Sequence, residues 1–159
     1  MKEKGLMVAI IAIILMVAAD QLVKYWAVTA LQAAPGHTIP LIENVFHLTY
    51  VENRGAAFSV LQNQIWLFVL LTIAILCAIV IAVRRGLVRS ALGRWSLYIV
   101  AGGAVGNLLD RIFRHFVVDL FDFRLIHFPV FNVADVFVCV GGVLFAYYLL
   151  FQHDKAVKK

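Results

Sequence analysis

Four long apolar runs constrain this chain more than any other feature. A helix of ~20 mostly apolar residues crosses a hydrocarbon core ~30 Å thick. Four stretches qualify or nearly qualify, at about 6–28, 65–83, 95–113 and 133–151. The composition agrees: 64% of the 159 residues are hydrophobic and 14% are charged, where a soluble domain carries about a quarter charged residues. The expected class is therefore a mostly α membrane protein with four transmembrane helices in one domain, 1–159. A separate soluble catalytic module has no room, so any chemistry must sit on the helices and their connections. The first run is too long for the apolar core of a secretory signal, and it leads into Asp20-Gln21 and Lys24-Tyr25-Trp26 rather than a small-residue cleavage site. It is expected to be a retained helix.

The cations supply an orientation. Lys2 and Lys4 precede the first run, Arg84, Arg85, Arg89 and Arg94 crowd the second connection, and Lys155, Lys158 and Lys159 follow the fourth run. All three groups fall on one side, which the positive-inside rule makes cytoplasmic. Both termini are then cytoplasmic. The formal charge of +5 becomes a topology signal, and nucleic acid is not an expected partner. On the opposite side, the stretch at about 36–62 is rich in β-branched and aromatic residues. It predicts short strands lying on the membrane surface.

Intramembrane charge is costly and usually functional. Asp20 and Lys24 lie one turn apart near the outer end of the first run and can pair. At ~1.5 Å per residue from Trp95, Asn107 lies roughly 18 Å and Arg111 roughly 24 Å along the third helix. Asp110 lies between them, Asp119 follows in the connection, and Asn132 and Asp135 open the fourth run. These residues form one outer layer, while the cytoplasmic half is nearly devoid of polar groups. A proton or ion pathway would need polar groups through the full depth. A layer at one depth suits a site that meets its substrate at one membrane face.

The residue types narrow the chemistry. Ser59 and Ser96 stand apart, with no Ser-His or Cys-His arrangement at outer depth. His37, His47, His115, His127 and His153 are scattered and read as surface or interfacial residues, not a metal set. Cys77 and Cys139 read as buried small hydrophobes. Carboxylates remain. Two that share a site cannot both ionise easily, so one can activate water while the other polarises an amide carbonyl. Asp20 faces Lys24, Asp110 abuts Arg111 and is near Arg114, and Asp122 falls in a connecting loop. Asp119 and Asp135 have the most apolar surroundings and the fewest cation partners. On these grounds alone Asp135 could equally be an N-cap for the fourth helix, and a transporter or a scaffold stays open. Gly102 and Gly106, like Gly141 and Gly142, read as helix-packing faces.

The sequence also resembles the lipoprotein signal peptidases (signal peptidase II) along nearly its whole length. The resemblance is carried, in order, by Asp20-Gln21 with Lys24, by Asn53-Arg54-Gly55-Ala56-Ala57-Phe58, by Gly102-Gly103-Ala104-Val105-Gly106-Asn107 leading to Asp110-Arg111, by Val117-Val118-Asp119, and by Phe131-Asn132-Val133-Ala134-Asp135. It implies an aspartic endopeptidase of the bacterial inner membrane, with its site at the extracytoplasmic face. Such an enzyme removes the signal peptide of a prolipoprotein before a diacylglyceryl-modified cysteine. It implies Asp119 and Asp135 as the catalytic pair, Asn53, Gly55, Asn107, Arg111 and Asn132 as substrate-binding or orienting residues, and Asp20, Lys24 and Asp110 as structural polar support. It further implies no cofactor and no metal, contact with membrane lipid, and inhibition by globomycin-type cyclic peptides; nothing demands more than a monomer. Val136 stands where family members often carry Ser or Thr, and Arg54 fills a variable position.

Overall fold

A computed structural model describes residues 3–55, 64–126 and 128–152. The expectations for Ala56, Ala57, Phe58, Ser59, His127, His153, Lys2 and the C-terminal lysines lie outside the described residues. Four long helices form: α1 (Glu3–Trp26), α2 (Ile65–Arg84), α3 (Ala91–Phe113) and α4 (Val133–Phe151). A π turn at Ala27–Leu31 prolongs α1 beyond the expected end. Ser90 caps α3, accepting from the Gly93 amide at 2.9 Å, so that helix starts four residues before the expected Trp95.

Three of the helices, α1 with its π turn, α2 and α4, are long and apolar enough to cross a membrane. Their outward faces are covered with exposed leucine, isoleucine and valine, a surface that suits lipid and not water. The third helix is different because it is wrapped: α1, α2 and α4 all pack on it. Its enclosed faces explain how it carries Asn107, Asp110 and Arg111.

Helices in lipid gain little from apolar burial, so close packing of small residues holds them. A Cβ on Gly103 would collide with the Ala134 carbonyl and lie 2.9 Å from the Val138 side chain. One on Gly106 would lie 2.7 Å from an Asp20 carboxylate oxygen, and one on Gly141 would meet the Ser96 carbonyl at 2.8 Å. These glycines seat α1 and α4 on α3, as expected for Gly106 and Gly141; Gly103 adds a contact the spacing had not indicated. Gly142 differs: it faces open space and packs on nothing.

The strands lie between α1 and α2 and between α3 and α4. Strand β1 (Thr38–Ile42) pairs antiparallel with β2 (Phe46–Asn53), through a turn in which Asn44 takes a φ of 59°. Strand β3 (Val117–Phe123) pairs antiparallel with the other edge of β2, giving the order β1-β2-β3. The sequence foresaw the first two strands but left β3 as a connecting loop. Asp122 is therefore on a strand, where it accepts from Thr49 and Arg124. One sheet face packs Val118 and Leu120 against Ala27 and Leu31 of the π turn. The other turns Asp119 and Phe121 toward α4.

Two further expectations change. His47 is buried in the sheet, not at the surface. Cys77 and Cys139 are exposed, Cys139 along the lining of a cavity beside α4, because in a membrane the outside of the bundle is itself an apolar place.

Candidate active site

The deepest polar element is Lys24. Its ammonium has three protons to donate, and each has a buried acceptor: Asp20 Oδ2 at 3.0 Å, Asp110 Oδ2 at 3.0 Å and Asn107 Oδ1 at 2.9 Å. The Asp20–Lys24 pair was expected. The link to Asp110 was not, because it joins two helices. Asp110 also approaches Arg114 Nε at 3.7 Å and accepts from the Val118 amide at 3.1 Å. Asp20 accepts from the Ala134 amide at 2.8 Å, which ties the start of α4 to α1.

This cluster orients the amides above it. A lysine cannot accept, so Asn107 must turn its oxygen toward Lys24. Its Nδ2 then points the other way and donates to Asp135 Oδ1 at 2.7 Å. Asn132 is fixed by the same logic. Its Oδ1 accepts from the Asp135 amide at 2.9 Å as the N-cap of α4. Its Nδ2 is left to donate to Asp119 Oδ1 at 2.6 Å and to Asn107 Oδ1 at 3.1 Å. Asn53, at the end of β2, donates to Asp119 Oδ2 at 2.9 Å and accepts from the Gly55 amide at 3.0 Å.

The capping question resolves as a division of labour. Asn132 is the cap, and Asp135, three residues on, closes a capping box by accepting from the Asn132 backbone amide at 3.2 Å. Asp135 therefore supports the helix start and still presents a carboxylate to the space beside it.

That space is a cavity of about 460 Å³. Its polar wall is Asn53, Gly55, Asn107, Arg111, Asp119 and Asp135; Phe128, Phe131, Val136 and Val140 contribute to an apolar wall opposite. The structure thus gathers at one cavity every residue expected to bind or react except Asn132, which is fully buried behind it. Asp20, Lys24 and Asp110 lie beneath. Arg111 does not pair with its neighbour Asp110; its guanidinium stacks over Phe68 of α2 at 5.2 Å from the ring centroid. Arg54 lies outside the cavity lining, in an ion pair with Glu52 at 2.9 Å and over the Phe116 ring at 5.7 Å.

Neither Asp119 nor Asp135 forms an ion pair among the described residues. Burial first, and the negative charge of Asp135 second, push the Asp119 carboxyl up to about 7, against the Asn53 and Asn132 amides, which favour its ionised form. A protonated carboxyl keeps acceptor capacity. Asp119 can hold a proton and still accept from both amides. Among the described residues no group of three or more His, Cys, Asp or Glu is arranged to hold a metal ion.

Sequence reasoning gave no role to Gln21 or to the apolar wall. Gln21 donates to the Gly106 carbonyl at 3.2 Å and to Asp110 Oδ1 at 3.3 Å. Its place beside Asp20 was the available signal. Val136 and Val140 are one turn apart and flank Asp135, so helical spacing could have indicated them.

Comparison with known proteins is consistent over most of the chain. The family described as Signal peptidase (SPase) II matches residues 12–151. The lipoprotein signal peptidase of Clostridioides difficile (strain 630) is 47% identical over 152 residues, covering 94% of this chain and 99% of that protein. That of Brevibacillus brevis is 46% identical over 129 residues, covering 80% and 85%. A solved bacterial membrane enzyme, determined by the in meso method at 2.3 Å resolution, superposes with a TM-score of 0.80 at 28% identity, covering 96% of this chain and 92% of that one.

Proposed function

The chain belongs to the signal peptidase II family of aspartic-type proteases, which remove signal peptides from prolipoproteins, and from that premise we propose that Asp119 and Asp135 are its catalytic pair. The observation that carries this reading is the pairing itself. Two carboxylates without cation partners share one cavity, and Asn132 bonds to both. Asp20 and Asp110 are committed to Lys24 and cannot fill the role.

The proposed reaction is direct hydrolysis. Asp135, held by the Asn107 side chain and the Asn132 amide, draws a proton from water as the water oxygen bonds to the scissile carbonyl carbon. Asp119, which holds the other proton, donates it to the carbonyl oxygen. When the tetrahedral intermediate collapses, the C–N bond breaks, the leaving nitrogen takes up the proton that Asp135 acquired, and one hydroxyl of the former intermediate returns its proton to Asp119, leaving the carboxylic acid product and the starting pair. Asn53, Asn107 and Asn132 hold the two carboxylates in register. Arg111 and Gly55, on the same wall, orient the substrate backbone.

The substrate is a prolipoprotein whose cysteine carries diacylglycerol. Its acyl chains lie along the apolar wall, open toward lipid beside Val136 and Val140. Lipid anchoring fixes the scissile bond in depth and supplies proximity. The site faces the extracytoplasmic side of the bacterial inner membrane, with both termini cytoplasmic, and the protein acts as a monomer. Cyclic peptides of the globomycin type occupy the same cavity. A transporter is disfavoured by the distribution of buried polar groups. Among the described residues, the buried side chains with polar atoms near the basic end of the bundle are Ser96, Tyr98 and Tyr148, none of them charged, and Ser96 donates to the Gly93 carbonyl.

The test is cleavage of a diacylglyceryl-modified prolipoprotein by purified protein in micelles. Asp119→Asn and Asp135→Asn should each lower turnover by roughly 10²–10⁴-fold, the range for a positioned acid or base, with the fold kept by circular dichroism. Near-normal turnover in either variant removes that residue from the pair.

A further inference from the structure

The far end of the bundle holds a second feature that catalysis does not use. Helices α1 and α2 each pack on α3 but scarcely touch each other. The gap between them is a groove of about 470 Å³, walled by residues such as Leu6 and Ile13 of α1 and Leu76 and Val80 of α2, and floored by Ala101 and Val105 of α3. Its volume is within the ~300–1,000 Å³ of ordinary small-molecule sites. At the basic end Arg84 edges the groove. Tyr98 lines both this groove and an adjoining hollow formed by Lys4, Arg94 and Trp95.

This is not the catalytic cavity under another name. At 100° per residue, the Tyr98, Ala101 and Val105 side of α3 lies roughly 130° around the helix from Asn107 and Arg111. The groove runs from Leu6 to Ile13, which is ~10 Å at 1.5 Å per residue. That fits within the ~15 Å of one leaflet's hydrocarbon and is well short of the ~30 Å of a whole core.

The charges select the occupant. Lys4, Arg84 and Arg94 join no ion pair among the described residues, and of the described acidic residues only Glu3 lies at this end, the others being on the sheet or at the other end of the bundle. A signal peptide would bring its own basic leading segment against these cations. A transmembrane partner helix would need a longer groove. A molecule with an anionic head and an apolar tail one leaflet deep satisfies both features. We propose that the basic end binds one anionic phospholipid, its phosphate held by Lys4, Arg84 and Arg94 and one acyl chain lying between α1 and α2. Bound there, the lipid fills the gap that the two helices leave.

Trp95 is a reporter at the mouth of this site. Trp26→Phe with Trp66→Phe, both at exposed positions, leaves it as the single tryptophan. The protein is placed in phosphatidylcholine nanodiscs containing an equal, low mole fraction of spin-labelled phosphatidylglycerol or of phosphatidylcholine bearing the same acyl label. Phosphatidylglycerol should quench Trp95 more strongly, with a local enrichment on the order of tenfold for a basic cluster of this size. Lys4→Gln, Arg84→Gln and Arg94→Gln together should abolish the excess. Val80→Phe, at a lipid-facing position that fills the groove, should abolish it with all three cations in place. Equal quenching by the two lipids overturns the proposal. So does excess quenching that survives Val80→Phe, which would mean surface attraction without a seated chain.

Discussion

At the scale of single residues, the telling quantity is where one proton resides. Folding raises the Asp119 carboxyl from 3.8 to about 7, by burial first and the Asp135 charge second. The folded state therefore binds more protons than the unfolded chain between those values. Stability contributed at this position is full below ~4 and declines as pH rises toward ~7. Turnover should follow the same proton, with an alkaline limb near pH 7 as Asp119 ionises and the pair loses its acid. Asn53 donates to the ionised form, so Asn53→Ala should raise the carboxyl further and move that limb to higher pH. A hydrogen bond to a charged group is worth ~1.5–3 kcal/mol, which corresponds to roughly one pH unit or somewhat more. A pH–rate profile on lipidated precursor decides it; a limb that stays put or moves down detaches it from Asp119. The candidate pair could be approached from the sequence because Asp20 had a visible cation, Lys24, at helical spacing, and Asp110 had Arg111 and Arg114 close by in the chain. Arg111 was misread as Asp110's partner. Sequence neighbours on a helix point 100° apart, and the guanidinium found Phe68 on another helix instead.

At the scale of elements, the seam between α3 and α4 is what brings Asn107 to Asp135. Gly103 sits in it with rigid backbone at the place a Cβ would occupy. Gly103→Ala cannot be absorbed by a side-chain rotation, so α4 must move away from α3 and carry Asp135 with it. It should lower the unfolding midpoint in detergent and cut turnover strongly. Gly142→Ala, one position past the tight Gly141, meets nothing within 4 Å. It should be neutral or stabilising by about 0.5–1 kcal/mol, since alanine is the better helix former, with turnover kept. If both variants behave alike, the seam is not the determinant. The long helices and this seam, through Gly106 and Gly141, could be read from runs and spacing. Strand β3 could not, although Val117–Phe123 alternates, because a seven-residue strand is chosen by its partner. That partner, β2, lies more than sixty residues earlier, beyond the reach of a local pattern. The burial of His47 follows from the same pairing, which sets it opposite Asp122, and was missed for the same reason.

At the scale of the whole molecule, the chain is asymmetric along the bundle. One end carries the sheet, the buried charge cluster and the catalytic cavity. The other carries Lys4, Arg84, Arg85, Arg89 and Arg94 against a single described acidic residue, Glu3. Between them lies a surface of exposed leucine, isoleucine and valine that only a bilayer can cover without cost. Two orientations are geometrically equivalent, and they differ in which compartment meets the aspartates. The proposed orientation rests on the cations, since basic connections stay in the cytoplasm. The proposed substrate asks for the same orientation, because a diacylglyceryl cysteine in the outer leaflet would have to reach the sheet end. Two single cysteines placed in a Cys77→Ala, Cys139→Ala background separate the cases. Leu125→Cys lies at the sheet end on an exposed turn, and Arg89→Cys lies exposed between α2 and α3. A membrane-impermeant maleimide added to intact spheroplasts should label Leu125→Cys at once and Arg89→Cys only after the membrane is opened. The reverse pattern would turn the aspartates toward the cytoplasm. The lipid-modified cysteine would then lie a full membrane thickness from the residues proposed to cleave beside it.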